Sequence, residues 1–183
     1  DNTSHISSLD SRSTPVNSSN FSSLYGSFGV TSYTQTGVYM DDVYVDNYSD
    51  PIWSSDRIYY WPDGETLDFY AYAPYSNGER PLPLESLEFN NPKGEVSFSY
   101  KTPKGSASDD ATLQPDLLFA YASHSLETTN NKSGIVPLEF SHALSAIRFV
   151  AKDITAGTIK SISIKYVYGE GGCIGYPADK DYK

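Results

Sequence analysis

Histidine and cysteine, the side chains that most often carry catalysis or bind metals, are scarce in this chain of 183 residues. The histidines are His5, His124 and His142, and the single cysteine is Cys173. No two of them have the spacing that places two ligands on one face of a helix, and a protein zinc site needs at least three such ligands. The sequence therefore predicts no metal centre and no cofactor.

Nucleophilic catalysis has one weak candidate, the neighbouring residues Ser141 and His142. Successive residues of a strand point to opposite faces, so this pair is poorly placed for a hydroxyl–imidazole hydrogen bond. A G-x-S-x-G elbow is absent, and the glycine-rich stretch 169–175 lacks the Lys-Ser/Thr of a phosphate loop. The two catalytic carboxylates of a glycoside hydrolase can be far apart in the sequence, so the sequence alone does not decide for or against this enzyme class. The residues favour a protein that is not an enzyme.

Acidic residues dominate the charge of the chain. The formal net charge is -10, which argues against nucleic acid and anionic membrane surfaces as partners, because both require clustered Lys and Arg. Asp41, Asp42, Asp46 and Asp50 form a cluster, but the Gly and the closing Glu of a calcium loop are missing. A solvated acidic loop is the favoured interpretation. A lone Cys173 excludes an intramolecular disulfide, and the composition rich in Tyr, Ser and Asn is typical of a surface protein.

The stretch 59–74 indicates how these side chains are positioned. Pro62-Asp63-Gly64 has the residue types of a turn, and Pro74 is expected to end the strand that follows. Between them, apolar and mostly polar-tipped residues alternate, which predicts a strand with one wholly apolar face. The apolar positions are Leu67, Phe69, Ala71 and Ala73, and the opposite face carries Asp68, Tyr70 and Tyr72.

Further short alternating or apolar runs, separated by turn residues, occur along the chain. They predict strands over 4–9, 28–33, 43–45, 96–100, 116–122, 136–140 and 162–167, and only the loop 102–110 has room for a short helix. About seven to nine strands without a helical pattern predict an all-β fold, an antiparallel β-sandwich.

Aromatic side chains are the best candidates for binding. Six of them, near or within the 59–74 stretch, form the predicted contact surface for a protein or a glycan: Trp53, Tyr59, Tyr60, Trp61, Tyr70 and Tyr72. The alternative is that the same rings cover one end of the sandwich and are partly buried under loops.

Three sequence blocks resemble the fimbrillins of Bacteroides type. The first is Tyr60-Trp61-Pro62 followed by residues 67–74, LDFYAYAP; the second is residues 114–120, QPDLLFA; the third is residues 136–147, VPLEFSHALSAI. Their order and spacing agree with the family from about Arg12 to about Tyr168. The chain therefore resembles the N-terminal domain of a fimbrillin-like pilus subunit.

The resemblance implies a transthyretin-like β-sandwich and a non-catalytic structural subunit of a cell-surface fimbria that mediates adhesion. It also implies export as a lipoprotein to the outer membrane and assembly with other fimbrial subunits by donor-strand exchange. In that mechanism a protease cuts after an Arg behind the first strand, and Arg12 stands at that place. Adhesion would involve surface proteins or glycans of a host or of other bacteria.

The expected domain organisation has three parts. Residues 1–14 form a weakly held first strand with the processing loop, residues 15–168 form the sandwich, and residues 169–183 form a glycine-rich linker toward a second domain. The second domain and the lipidated cysteine are implied by the resemblance alone. A surface module that binds glycans on exposed Tyr and Trp is the alternative function.

Overall fold

The computed structural model describes residues 16–47, 52–76, 84–91, 94–100, 115–127 and 134–144. One short helix, α1 (Phe21–Leu24), precedes eight strands within these ranges. The strands are β1 (Ser27–Thr34), β2 (Gly37–Asp46), β3 (Ser54–Ser55), β4 (Thr66–Ala73), β5 (Leu84–Asn90), β6 (Glu95–Tyr100), β7 (Leu118–Ser125) and β8 (Ser141–His142). The prediction of an all-β antiparallel sandwich is confirmed.

Six strands form one sheet in the order β3-β2-β1-β4-β7-β8, and β5 pairs with β6 in a separate two-stranded sheet. The strand β4 lies inside the larger sheet and is paired along its full length with β7, from Thr66 opposite Ser125 to Ala73 opposite Leu118. Its other edge pairs with β1. The predicted turn before β4 is present, since the Glu65 N–H donates to the Pro62 carbonyl over 3.2 Å.

Both faces of the six-stranded sheet are buried, and each has its own core. On the face we call the aliphatic face, Val30, Phe69, Ala71 and Leu118 pack with Val16 from the segment before α1. On the opposite face, the tyrosine face, the β5–β6 pair covers the sheet. The buried residues there are Tyr70, Tyr72, Val96, Phe98, Tyr100, Leu117 and Phe119. Alternate residues of β4 between Leu67 and Ala73 therefore pack into two different cores.

Tyr70 links the two sheets. Its side chain is fully buried, and its ring stacks on Phe89 of β5 with the centroids 5.1 Å apart. The hydroxyl accepts the N–H of Gly94 over 3.1 Å and donates to the Asn90 carbonyl over 3.3 Å. Because Asn90 is the last residue of β5 and Gly94 directly precedes β6, one side chain of the large sheet fixes the position of the hairpin.

A β-bulge in β2 changes the direction of two carboxylates. Val43 opposes Val30, whereas Met40 opposes Ser32, so β2 has one more residue than β1 over this interval. Asp42 has a positive φ of 43°, its N–H donates to Thr31 Oγ1 over 3.1 Å, and its Oδ1 accepts the Tyr72 hydroxyl over 2.7 Å. These two hydrogen bonds hold a backbone conformation that costs about 1–3 kcal/mol in a residue other than glycine.

Most predicted strands inside the described ranges are confirmed, and their bounds are longer in the structure. Residues 136–140 are the exception, because they form no strand. The side chains of this segment nevertheless alternate in burial, since Val136, Leu138 and Phe140 are half-buried while Pro137 and Glu139 are exposed. The sequence pattern missed α1 and β5. The predicted strands 4–9 and 162–167, and the loop 102–110, lie outside the described residues.

We expect Tyr70→Phe to lower the free energy of unfolding by about 1–3 kcal/mol, because it leaves the buried Gly94 N–H without its acceptor. Urea unfolding followed by circular dichroism measures the change. Tyr60→Phe is the matched control, since Tyr60 is 80% exposed and its loss should change stability by less than about 0.5 kcal/mol. Equal stability of the two variants would contradict the linking role of Tyr70.

Candidate functional site

A groove of about 1230 Å³ lies over the aliphatic face of the six-stranded sheet. Its floor comes from alternate residues of three neighbouring strands, Val30, Phe69 and Leu118. The segment 134–140 contributes Val136, Leu138 and Phe140 among others to the lining, and Trp53 and Phe21 of α1 also line the groove. We call this the aliphatic groove. Apolar side chains on the floor of a groove can contact the alternate side chains of an extended peptide.

Four aromatic rings from four segments meet at one end of the aliphatic groove. Phe21 of α1 lies 5.2 Å from Trp53 and 5.3 Å from Phe140, measured between ring centroids. Phe28 of β1 lies 5.4 Å from Trp53 and 5.3 Å from Phe140. Edge-on and tilted pairs at these distances stabilise by about 0.5–1.5 kcal/mol each beyond the area they bury. Because α1 is too short to be stable alone, these ring contacts hold it in place.

Asp116 connects three parts of the chain through hydrogen bonds and an ion pair. Its Oδ2 accepts the Val16 N–H over 3.0 Å and lies 2.9 Å from His142 Nδ1. Its backbone carbonyl accepts the Tyr25 hydroxyl over 2.6 Å. Val16 is buried in the aliphatic core, so the chain entering from the N-terminal side is held at the groove by packing and by a hydrogen bond to a carboxylate.

Two members of the predicted contact surface are core residues on the aliphatic face. Trp53 belongs to the four-ring cluster, and Trp61 lies 5.8 Å from Phe69 between ring centroids. The Trp61 Nε1–H donates to the Glu65 carbonyl over 3.0 Å, which closes the turn before β4. Both indoles are half-buried and pack against the aliphatic core, so they do not form an exposed platform.

Tyr70 and Tyr72 lie on the other side of the sheet, where burial leaves them 0% and 4% exposed. They cannot act as an exposed platform, which corrects that part of the sequence prediction. Tyr59 and Tyr60 lie at the surface. The Tyr59 ring is half-buried, and the Arg57 guanidinium lies over it, 5.1 Å from the centroid of the ring. The Tyr39 hydroxyl donates to the Tyr60 carbonyl. The six aromatic residues are therefore distributed over three places.

The remaining candidates give no catalytic site in the described part of the chain. His142 has a carboxylate partner in Asp116, but no described hydroxyl hydrogen-bonds to its other ring nitrogen. No group of three metal-ligating side chains occurs among the described residues. Asp41, Asp42 and Asp46 lie on β2 and not in a loop, while Arg12, Asp50 and Cys173 lie outside the described ranges.

Tyrosine hydroxyls are the groups whose titration the fold changes most. Burial raises the pKa of Tyr25, Tyr70 and Tyr72 well above the ordinary value of 10.0, and it is the largest cause for each. The negative charge of Asp116 also raises the pKa of Tyr25, and the hydrogen bond to Asp42 also raises that of Tyr72. The fold therefore requires these phenols to be neutral.

A family model described as fimbrillin-like matches residues 15–171. The chain belongs to the fimbrillin-like family. The matched segment begins next to Val16, the first described residue of the aliphatic core, and it includes all described strands. Among curated proteins and among solved structures, no match to this chain was found.

Membership of the fimbrillin-like family implies a structural subunit of a fimbria that is displayed at the cell surface and assembles with other fimbrial subunits. The resemblance read from the three sequence blocks is thereby confirmed. No helix among the described residues has the length and apolar character needed to cross a bilayer.

We expect the fimbrillin-like sandwich to lose stability as the pH rises above about 10. The unfolded chain releases tyrosine protons near the ordinary pKa of 10.0, whereas the folded chain holds them to higher pH, so ionisation favours the unfolded state. Urea unfolding between pH 8 and pH 11 measures the loss. Tyr72→Phe should make this decline shallower; a decline that this variant does not alter would contradict the assignment.

We expect Asp116→Ala to lower the free energy of unfolding by about 1–3 kcal/mol, because the Val16 N–H loses its acceptor and His142 loses its partner. Hydrogen exchange should show faster exchange of the Val16 amide. Asp116→Asn keeps an acceptor oxygen and should protect this amide better than Asp116→Ala does. Asp63→Ala is the control, since Asp63 is an exposed turn residue; an unchanged Val16 amide in Asp116→Ala would disprove the contact.

Proposed function

We propose that this chain is a fimbrial shaft or accessory subunit that polymerises by donor-strand exchange in the aliphatic groove. Cleavage after Arg12 releases residues 1–12, and an extended strand from a neighbouring subunit takes the vacated place. The position of Val16 carries this proposal. Residue 16 is packed in the groove core only four positions after Arg12, so only a few residues of chain separate the proposed cleavage point from the groove.

The chemistry of the groove supports a strand as its occupant. A donor strand places alternate side chains toward the floor, where Val30, Phe69 and Leu118 offer apolar contacts. Each aliphatic side chain that becomes buried stabilises the complex by about 1.5–3 kcal/mol before ordering costs. Residues 1–12 contain only Ile6 and Leu9 as large apolar residues, which makes them a weak occupant that a more apolar donor can replace.

The contacts around Asp116 give the exchange a fixed boundary. Val16 is retained by its burial and by its N–H bond to Asp116, and α1 is retained by the four-ring cluster. A cut after Arg12 therefore separates a short released strand from a sandwich whose first residues remain anchored. Loss of residues 1–12 should not unfold the remainder, because the Asp116 carboxylate that holds Val16 and the four-ring cluster that holds α1 both belong to the retained chain.

The finer features of the family belong to the same proposal. They are a transthyretin-like arrangement of the strands, a lipid anchor on the precursor, passage to the outer membrane, and a second sandwich domain beyond a linker at 169–183. Adhesion to surface proteins or glycans would be the role of the assembled fimbria. Family membership and the sequence blocks that resemble fimbrillins support these features of the proposal.

We expect an Arg-specific protease to cut the full chain after Arg12 and leave a folded product that starts at Ser13. Mass spectrometry identifies the cut among the four arginines, Arg12, Arg57, Arg80 and Arg148. The trimmed protein should then bind a fluorescent peptide of residues 1–12, measured by anisotropy, and should form oligomers on size-exclusion chromatography when an apolar donor strand is present.

Arg12→Ala is the control for this experiment, since it should remain uncut at that position, monomeric and unable to bind the peptide. Leu118→Lys in the trimmed protein tests the groove itself, because it places a charge on the floor, and its folding is checked by circular dichroism. A product that is cut at Arg12 yet binds neither peptide nor donor strand would refute donor-strand exchange in this chain.

A further inference from the structure

A second groove lies on the tyrosine face, on the side of the sheet away from the aliphatic groove. It consists of two depressions of about 720 and 790 Å³ between the six-stranded sheet and β5. Both depressions include Tyr33 and Phe89 in their lining, so they adjoin each other at these two rings. Ligand clefts in proteins have volumes of about 300–1,000 Å³, and together the depressions are long enough for more than one unit of a linear ligand.

The two shared rings are held in place from below. Tyr70, fully buried, stacks on Phe89 at 5.1 Å and meets Tyr33 edge-on at 5.7 Å, measured between ring centroids. Tyr33 and Phe89 themselves are half-buried. A ligand that packs on their exposed parts would meet rings whose rotamers are already fixed, which lowers the entropy cost of binding.

Polar groups extend from the rings in both directions along the groove. One depression is lined by the exposed carboxylates Asp41 and Glu88. The other is lined by the amides Gln35 and Asn91 and by the Asp68 carboxylate, which accepts the Tyr121 hydroxyl. Carboxylates accept hydrogen bonds, whereas amides both donate and accept them. The bulge in β2 contributes to this arrangement, since it brings Asp41 and Asp42 together opposite Thr31 on the tyrosine face.

The described lining of both depressions contains no Lys, Arg or His, and no described cation lies within 4 Å of Asp41 or Glu88. Carboxylates without counter-ions repel an anionic ligand, and the net charge of -10 adds to that repulsion. An apolar peptide would leave the carboxylates and amides without partners, which costs binding free energy. The best match is a ligand with many hydroxyls, no negative charge and C–H faces that pack on aromatic rings.

We propose that this second groove binds a neutral oligosaccharide, with a sugar ring packed on Tyr33 and Phe89 and its hydroxyls bonded to Asp41, Glu88, Gln35 and Asn91. The inference goes beyond the assembly function, because the two grooves lie on opposite faces of one sheet. A subunit held in a fimbria by its aliphatic face keeps the second groove available for a glycan.

The test uses the full chain on an array of neutral, sialylated and sulfated oligosaccharides, followed by NMR titration with the best neutral glycan. We expect saturable binding of neutral glycans, little binding of their sialylated or sulfated forms, and shifts of the Tyr33 and Phe89 resonances. The double variant Asp41→Ala/Glu88→Ala should bind at least about tenfold more weakly, the loss expected when two hydrogen-bonding carboxylates are removed. Gln35→Ala should weaken binding at the other end.

Asp63→Ala/Glu139→Ala is the matched control, since it removes the same charge from two exposed positions outside the groove. It should bind like the unmodified chain, and thermal unfolding should show that all variants are folded. Any of three results would overturn the proposal: no neutral glycan bound, sialylated glycans bound equally well, or an affinity that Asp41→Ala/Glu88→Ala does not change. A basic peptide bound in place of any glycan would also reject it.

Discussion

The structure depends on one strand that is buried on both faces. β4 pairs with β1 and β7 on its two edges, and its alternate residues enter two separate cores. A strand in this position has no solvated face, so each side chain must fit a packed environment, and the polar tip of each buried tyrosine needs a partner. Tyr70 and Tyr72 meet this requirement by hydrogen-bonding to the β5–β6 connection and to Asp42.

This constraint separates the molecule into two surfaces with different chemistry. Toward the aliphatic face, β4 presents Phe69 to an apolar groove, the groove that we propose receives a donor strand. Toward the tyrosine face, it presents phenols that support a hydrogen-bonding groove. One sheet can thus serve as a joint between subunits on one side and carry a recognition surface on the other, without either function using the residues of the other.

Simple patterns make the centre of the fold predictable from the amino-acid sequence. β1, β4 and β6 alternate with a period of two, and β7 is a continuous apolar run of strand length, so all four are evident from residue types alone. The pattern fails where the strands carry bulges. β5 has an extra residue between Leu84 and Ser86, and β2 has extra residues near Tyr39 and Asp42. Because these residues break the period, the sequence does not reveal β5 and indicates only three residues of β2. α1, with four residues, is too short to show a period.

The contact surface shows why a site is harder to predict than a strand. Tyr and Trp have the same composition signal whether they face solvent, a ligand or a core, and only packing separates these cases. Tyr60 is exposed and Tyr70 is buried, although only ten residues, including one turn, separate them along the chain. The groove on the tyrosine face combines residues of the β1–β2 pair, of β4 and of the β5–β6 pair. Gln35 and Asn91 line the same depression although they are far apart in the sequence, so no spacing pattern predicts that they lie close together.

The bulge in β2 has a consequence for the outer edge of the six-stranded sheet. β3 pairs only with Val45 and Asp46, so in the described part of the chain the rest of β2 forms an outer sheet edge without a strand partner. Open edges invite pairing with the edge of another molecule, and natural sheets resist this with charges and bulges. Asp41 and Asp42 supply both, so this sheet edge is poorly suited to pairing with the edge of another molecule.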